Sequence, residues 1–222
     1  MRRRADSKPD AGAPKRFGKR EFLSVVAAVA LFFGRAGADC PRHLPKDGKD
    51  TKVPKVTAHE CHELAGTVLA DLVIPFDYDI EKKGNSPLWG TVQTRVVRST
   101  ATGELHFYYQ IHVAGAADAR DGIEFFWLFG IGGIPLEAWV GYRGDAAGFV
   151  EPRSIFASWW NYNEPPRLNG IHFWVPRIHS GEKSNMLLIK SKAKGYSRDG
   201  TLSMETSMHL LPYALKGVYV PR

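Results

Sequence analysis

Apolar and polar positions alternate along most of the chain after residue 64, and the period is two. In ELHFYYQIHV (104–113), Leu105, Phe107, Tyr109, Ile111 and Val113 fall on one side, with His106, Tyr108, Gln110 and His112 on the other. That pattern predicts a strand with one face in a core and one in water, with His106 and His112 as exposed-face histidines. LWGTVQTRVVRS (88–99) sets Leu88, Val92 and Val96 against Trp89, Gln93 and Arg95 in the same way. AGTVLADLVIPF (65–76) is rich in β-formers and is expected to stop at Pro75. GIEFFWLFGIGG (122–133) is apolar almost throughout, as for a strand covered on both faces. LEAWVGYR (136–143), IHFWV (171–175), NMLLIKS (185–191) and TLSMETSMHLL (201–211) continue the series. TATG (100–103) and SRDG (197–200) read as tight turns. Short β-rich segments at this spacing predict an all-β domain, an antiparallel β-sandwich with a β-barrel as the alternative.

The first 38 residues follow another logic. A basic stretch to Glu21 precedes the apolar run Phe22–Gly34, and Ala36-Gly37-Ala38 offers small residues for cleavage. The run has 13 residues, too short to cross a bilayer as a helix, which takes ~20. GKREFLS (18–24) resembles the twin-arginine export consensus, with Lys19-Arg20 in place of the usual arginine pair. The expectation is a signal peptide over 1–38 and a product free in the periplasm or the medium. Residues 1–38 hold nine basic and three acidic side chains, which leaves 21 and 20 in the remainder, a net of +1. The basic pI of 9.4 therefore reports the targeting segment, and no nucleic-acid partner is expected.

Between signal and domain, residues 41–57 are rich in Pro, Lys and Asp and poor in large apolar side chains. Such a composition predicts a flexible tether over 39–63 ahead of a single domain at 64–222. The tether ends in AHECHEL (58–64), where Thr57 and Glu60 have capping-box spacing and predict one helical turn. The stretch starts like a zincin helix, but the second histidine falls at 62 where that motif needs 63, so a standard zincin metalloprotease is excluded.

Three readings of its cysteine remain, a pair of free thiols among them. In an exported chain with two cysteines, Cys40 and Cys61 are read first as a disulfide. The alternative is a zinc site drawn from Cys40, His43, His59, Cys61 and His62, which would make the protein a small metal-assisted hydrolase or isomerase. No other cofactor is expected. The chain contains no G-x-S-x-G elbow, P-loop, dinucleotide fingerprint or CxxC, so enzyme status stays open.

A second candidate is aromatic, in IFASWWNYNEPPRLNGIHFWVP (155–176). Trp159, Trp160, Tyr162 and Trp174 stand near Asn163, Glu164, Arg167 and His172, a mixture suited to sugar rings, whose C–H faces stack while hydroxyls seek polar partners. Adjacent Trp159 and Trp160 must point opposite ways if the segment is extended. The bland alternative is that these rings line the core and cover a sheet edge.

LAGTVLADLVIPF, GTVQTRVVRSTATGELHFYY and SGEKSNMLLIKSKAKGY resemble one family over roughly residues 64–222. It comprises uncharacterised exported bacterial β-rich proteins of planctomycete type. The resemblance implies a secreted all-β domain and supplies no catalytic residues. The functional expectation is a non-catalytic binding or structural module of the cell envelope. Its partner would be an envelope glycan, bound through the aromatic segment, or another envelope protein.

Overall fold

The computed structural model describes residues 40–45, 48–78, 87–116, 122–131, 137–145, 155–161, 169–206 and 210–222. The expected signal peptide lies outside them. The protein is all-β, with two antiparallel sheets that do not close into a barrel, as a sandwich requires. The strands are β1 Arg42–Leu44, β2 Thr51–Lys52, β3 Lys55–Val56, β4 Gly66–Tyr78, β5 Leu88–Ser99, β6 Leu105–Ala116, β7 Gly122–Phe129, β8 Ala138–Arg143, β9 Phe156–Asn161, β10 Asn169–His179, β11 Met186–Ser191, β12 Tyr196–Glu205 and β13 Leu210–Pro221. The first sheet runs β1-β8-β11-β6-β5-β4, with β3 also paired to β8. The second runs β13-β12-β7-β10-β9-β2.

The inward half of the alternation in β5 and β6 does what the pattern predicts. Leu88, Val92 and Val96 with Leu105, Phe107, Tyr109, Ile111 and Val113 enter the main core, where Phe126, Leu128, Ile171, Phe173, Leu202 and Met204 come from the second sheet. Two polar ties cross between the layers. The Tyr109 hydroxyl donates to the Tyr219 carbonyl at 2.6 Å, and the Tyr219 N–H donates to Thr94 Oγ1 at 3.2 Å. Gly103 supplies the positive φ, 73°, at the β5–β6 turn.

Three expectations need correction. β4 continues past Pro75 to Tyr78, because an edge strand can leave the missing N–H on its open side. Ser197–Gly200 makes no reversal. These residues lie inside β12, where its register against β13 shifts, so the SRDG signature marks a bulge and the strand runs on.

The third concerns the tether. Residues 42–44 pair with β8, 51–52 with β9, and 55–56 with β8 again, so the segment crosses from one sheet to the other and back. Leu44, Val53 and Val56 are buried. Each is a lone apolar residue among Pro and Lys, and average composition hides them. After β3, the Thr57 hydroxyl accepts the Glu60 N–H at 3.2 Å and donates to the Glu60 carboxylate at 2.8 Å. The chain then makes a 3-10 turn at His62–Leu64. This turn lies on the outer face of the first sheet, where Val56, Cys61 and Leu64 form a second apolar cluster with Val97, Tyr108, Met186 and Leu188.

Candidate functional site

The outer face of the second sheet collects the aromatic side chains. β7 turns Phe126 and Leu128 inward, so Phe125, Trp127 and Phe129 point out and are half-buried. β10 does the same with Ile171 and Phe173 inward and His172 and Trp174 outward. The ladder brings these positions into rows. Phe156, Trp174, Phe125 and Glu205 lie side by side across β9, β10, β7 and β12, and Ser158, His172, Trp127 and Ser203 form the next row. Four strands at ~4.8 Å spacing make this shelf ~15 Å wide.

The rings are stacked like books. Trp127 and Phe129 are 4° from parallel with centroids 6.2 Å apart. His172 lies 3.9 Å from Trp127 at 11° and 5.5 Å from Phe125 at 18°. Phe125 meets Trp174 at 5.2 Å with a 36° tilt. The inner members therefore spend their faces on one another. Trp174, at 49 % exposure, is the ring that faces solvent. Gly170 beside Phe129 makes room for the file, since a Cβ there would come within 3.0 Å of the Phe129 ring and 2.7 Å of the Leu128 carbonyl oxygen.

Burial holds His172 neutral, with its pKa lowered to about 4 against the opposing pull of Asp50. Burial also pushes the Glu205 carboxyl up, while the Trp127 indole pulls it back. At the Phe125 end both Glu124 and Phe125 turn outward through an irregularity in the β7–β10 register, and Arg177 pairs with Glu124 at 2.6 Å. Pro176 falls in that irregular stretch, past the last β9 partner of β10, where a missing N–H costs no ladder bond.

Of the aromatic candidates, the structure brings His172 and Trp174 together on this face. Trp159 points the other way, is 6 % exposed and belongs to the core, so it has no ligand-facing surface. Trp160 pairs with Gly170 in the ladder. Tyr162, Asn163, Glu164 and Arg167 lie outside the described residues. Phe125, Trp127 and Phe129 are the members that sequence reasoning missed. Their signal was present in EFFWLF as aromatics at every second position, masked by inward-facing neighbours that are equally apolar.

The cysteine segment resolves differently. Cys40 and Cys61 form a disulfide with Cα atoms 5.3 Å apart. With Glu63 they place two sulfurs and a carboxylate within 4.8 Å of one another, but bonded sulfurs are not the thiolates that zinc takes. His43, His59 and His62 stand outside that group among the described residues. His43 packs edge-on against Trp139 at 5.7 Å, and His59 and His62 are exposed.

Behind the turn, Lys190 pairs with Glu63 at 2.6 Å and Glu104 at 3.2 Å. His106, expected in water, is fully buried, and neither ring nitrogen has a hydrogen-bond partner among the described residues. Burial lowers its pKa to about 4. Arg143 grips Asp145 through two bonds of 2.6 and 2.7 Å and lies over the Tyr108 ring. His112 is not part of this cluster. It is half-buried on the same strand and bridges to Lys183.

No helix among the described residues is long and apolar enough to cross a membrane. Comparison with family models, curated proteins and solved structures finds no match to this chain.

Proposed function

We propose that this protein is a non-catalytic, exported module of the cell envelope that binds a glycan on the aromatic outer face of its second sheet. One observation carries the reading: Trp174 stands half-exposed in a cross-strand row between Phe156 and Phe125, with Glu205 ending that row and the Arg177–Glu124 pair nearby. A sugar ring would lay its C–H face on Trp174 while its hydroxyls reach the carboxyl and guanidinium groups, the usual division of labour at such sites. The stacked file beneath holds Trp174 in place, so little ordering cost remains when a ligand arrives. The disulfide suits a compartment outside the cytoplasm, in keeping with the export signal read from the sequence and with the exported family that residues 64–222 resemble.

The test is calorimetric titration of the protein against a panel of bacterial envelope glycans. A binder should lose affinity by about tenfold or more with Trp174→Ala, with the far-UV circular dichroism unchanged. Failure of the wild-type protein to bind any glycan of the panel ends this reading.

A further inference from the structure

β4 borders the first sheet, and among the described residues no strand pairs with its outer side. It is 13 residues long. Val68, Leu69 and Val73 on it are 50, 37 and 55 % exposed, three of the six exposed large apolar side chains among the described residues. A long apolar border is hazardous because its free N–H and C=O groups recruit another strand, and sheets usually blunt it with lysines, bulges or prolines. Gly66–Tyr78 contains no Lys or Arg.

It does contain the other two devices. The register against β5 skips Leu69, which is bulged, and Pro75 interrupts the supply of N–H groups. Pro75 sits opposite Thr91 in a ladder that continues on both sides, so its backbone edge is the one turned away from β5. Alternation then turns the N–H and C=O of Asp71 and Val73 toward the same open side. Leu69 and Pro75 each lie three residues from Leu72, so the open window is symmetric about Leu72.

We propose that β4 pairs antiparallel with β4 of a second copy of this chain, about a two-fold axis at Leu72. In that register Leu72 faces Leu72 of the second copy as a non-hydrogen-bonded pair. Asp71 exchanges both backbone bonds with Val73 of the second copy, and Val73 with its Asp71. Each Leu69 bulge meets the other copy's Pro75, so one feature ends the ladder at both sides. This symmetry about one residue is what an isologous dimer needs and what an unrelated strand does not require. The charges agree. Asp71, the sole charge in the window, is held by its own Arg95 at 2.6 Å and Gln93 at 2.8 Å and faces an uncharged valine.

The register makes opposite predictions for two substitutions at one exposed site. Sedimentation equilibrium and light scattering on the full chain should give twice the chain mass. Val73→Asp sets two carboxylates against each other across both pairs and should weaken dimerisation about a hundredfold, since like charges set against each other across an interface suppress association. Val73→Lys sets an ammonium against the second copy's Asp71 and should leave the dimer at least as tight. Circular dichroism checks that both variants stay folded. A wild-type protein that is monomeric at all concentrations overturns the proposal. So does a dimer that both substitutions weaken alike, or that neither affects.

Discussion

Lys190 and Glu63 join at 2.6 Å, and that ion pair fastens the disulfide-bearing turn to β11. Glu104 closes on the same ammonium from the start of β6 at 3.2 Å. The Lys190 side chain is mostly buried, so the pair is less screened than a surface bridge. Removing the lysine leaves two carboxylates facing a space that held a cation. Lys190→Met should therefore cost about 1–3 kcal/mol, read as a lower urea midpoint at unchanged slope. A double-mutant cycle with Glu63→Gln should give a coupling well above the few tenths found for exposed pairs.

The disulfide acts on the same turn through chain entropy. Cys40 and Cys61 are 21 residues apart, and closing such a loop contributes about 3 kcal/mol. Its removal should be felt locally first. Cys61 and Leu64 belong to the outer cluster, whereas the main core is built from side chains between the sheets. With Cys40→Ser and Cys61→Ser together, hydrogen exchange should quicken over residues 40–64 while β6 and β11 amides stay protected. Uniform acceleration across both sheets would show instead that the strap and the sandwich unfold as one unit.

His106 gives this face a pH dependence whose sign follows from its burial. Desolvation lowers its pKa from the ordinary 6.5 to about 4, with Glu63 and Glu104 pulling it up and Lys190 and Arg143 pulling it down. Above the unfolded pKa the imidazole is neutral in both states and contributes nothing. As pH falls from 6.5 toward 4, the unfolded chain takes up a proton that the folded chain refuses, so stability drops. The loss amounts to about 3 kcal/mol when the window is crossed. His172 shares the direction and the window, and carboxylates titrate at its lower end. The measurement is thus the difference between wild type and His106→Leu in urea midpoints at pH 7 and pH 4.5. That difference should shift in favour of the variant at the lower pH. A gap that does not change with pH would mean the strap opens and hydrates His106 freely.

The strand pattern was legible wherever one strand alone decides which way a side chain turns. The inward set of β6 follows from its period. What could not be read was the covering of a face by residues distant in the chain. His106 and Tyr108 alternate as surface positions should, yet both are buried, and Tyr108 is covered by Cys61 and Leu64, which arrive from a segment whose composition argues for disorder. The aromatic shelf had the same difficulty. His172 and Trp174 were visible as candidates, but their stacking partners Phe125 and Trp127 sit about fifty residues earlier and meet them only through the β7–β10 register. The loss of Trp159 from the site was foreseeable in kind, since adjacent residues of a strand part to opposite faces. Which of Trp159 and its neighbour would go inward was not.

Two tryptophans of the same segment should accordingly answer mutation in different currencies. Trp159 packs in the core with Leu44, Ala157 and Ile171, and Trp159→Ala should cost about 3–5 kcal/mol of stability through the cavity it leaves. Trp174 is half-exposed and touches Phe125 at the end of the stack, so Trp174→Ala should cost no more than about 1 kcal/mol. The proposed glycan affinity should follow the reverse order. Trp174→Ala should weaken it by about tenfold or more in a folded protein, and Trp159→Ala should leave it intact below the variant's lowered melting temperature. Thermal denaturation and titration on the same two samples decide the matter. If Trp159→Ala proved the stable variant, the inward assignment of β9 would be off by one residue, and every side chain on that strand would change faces with it.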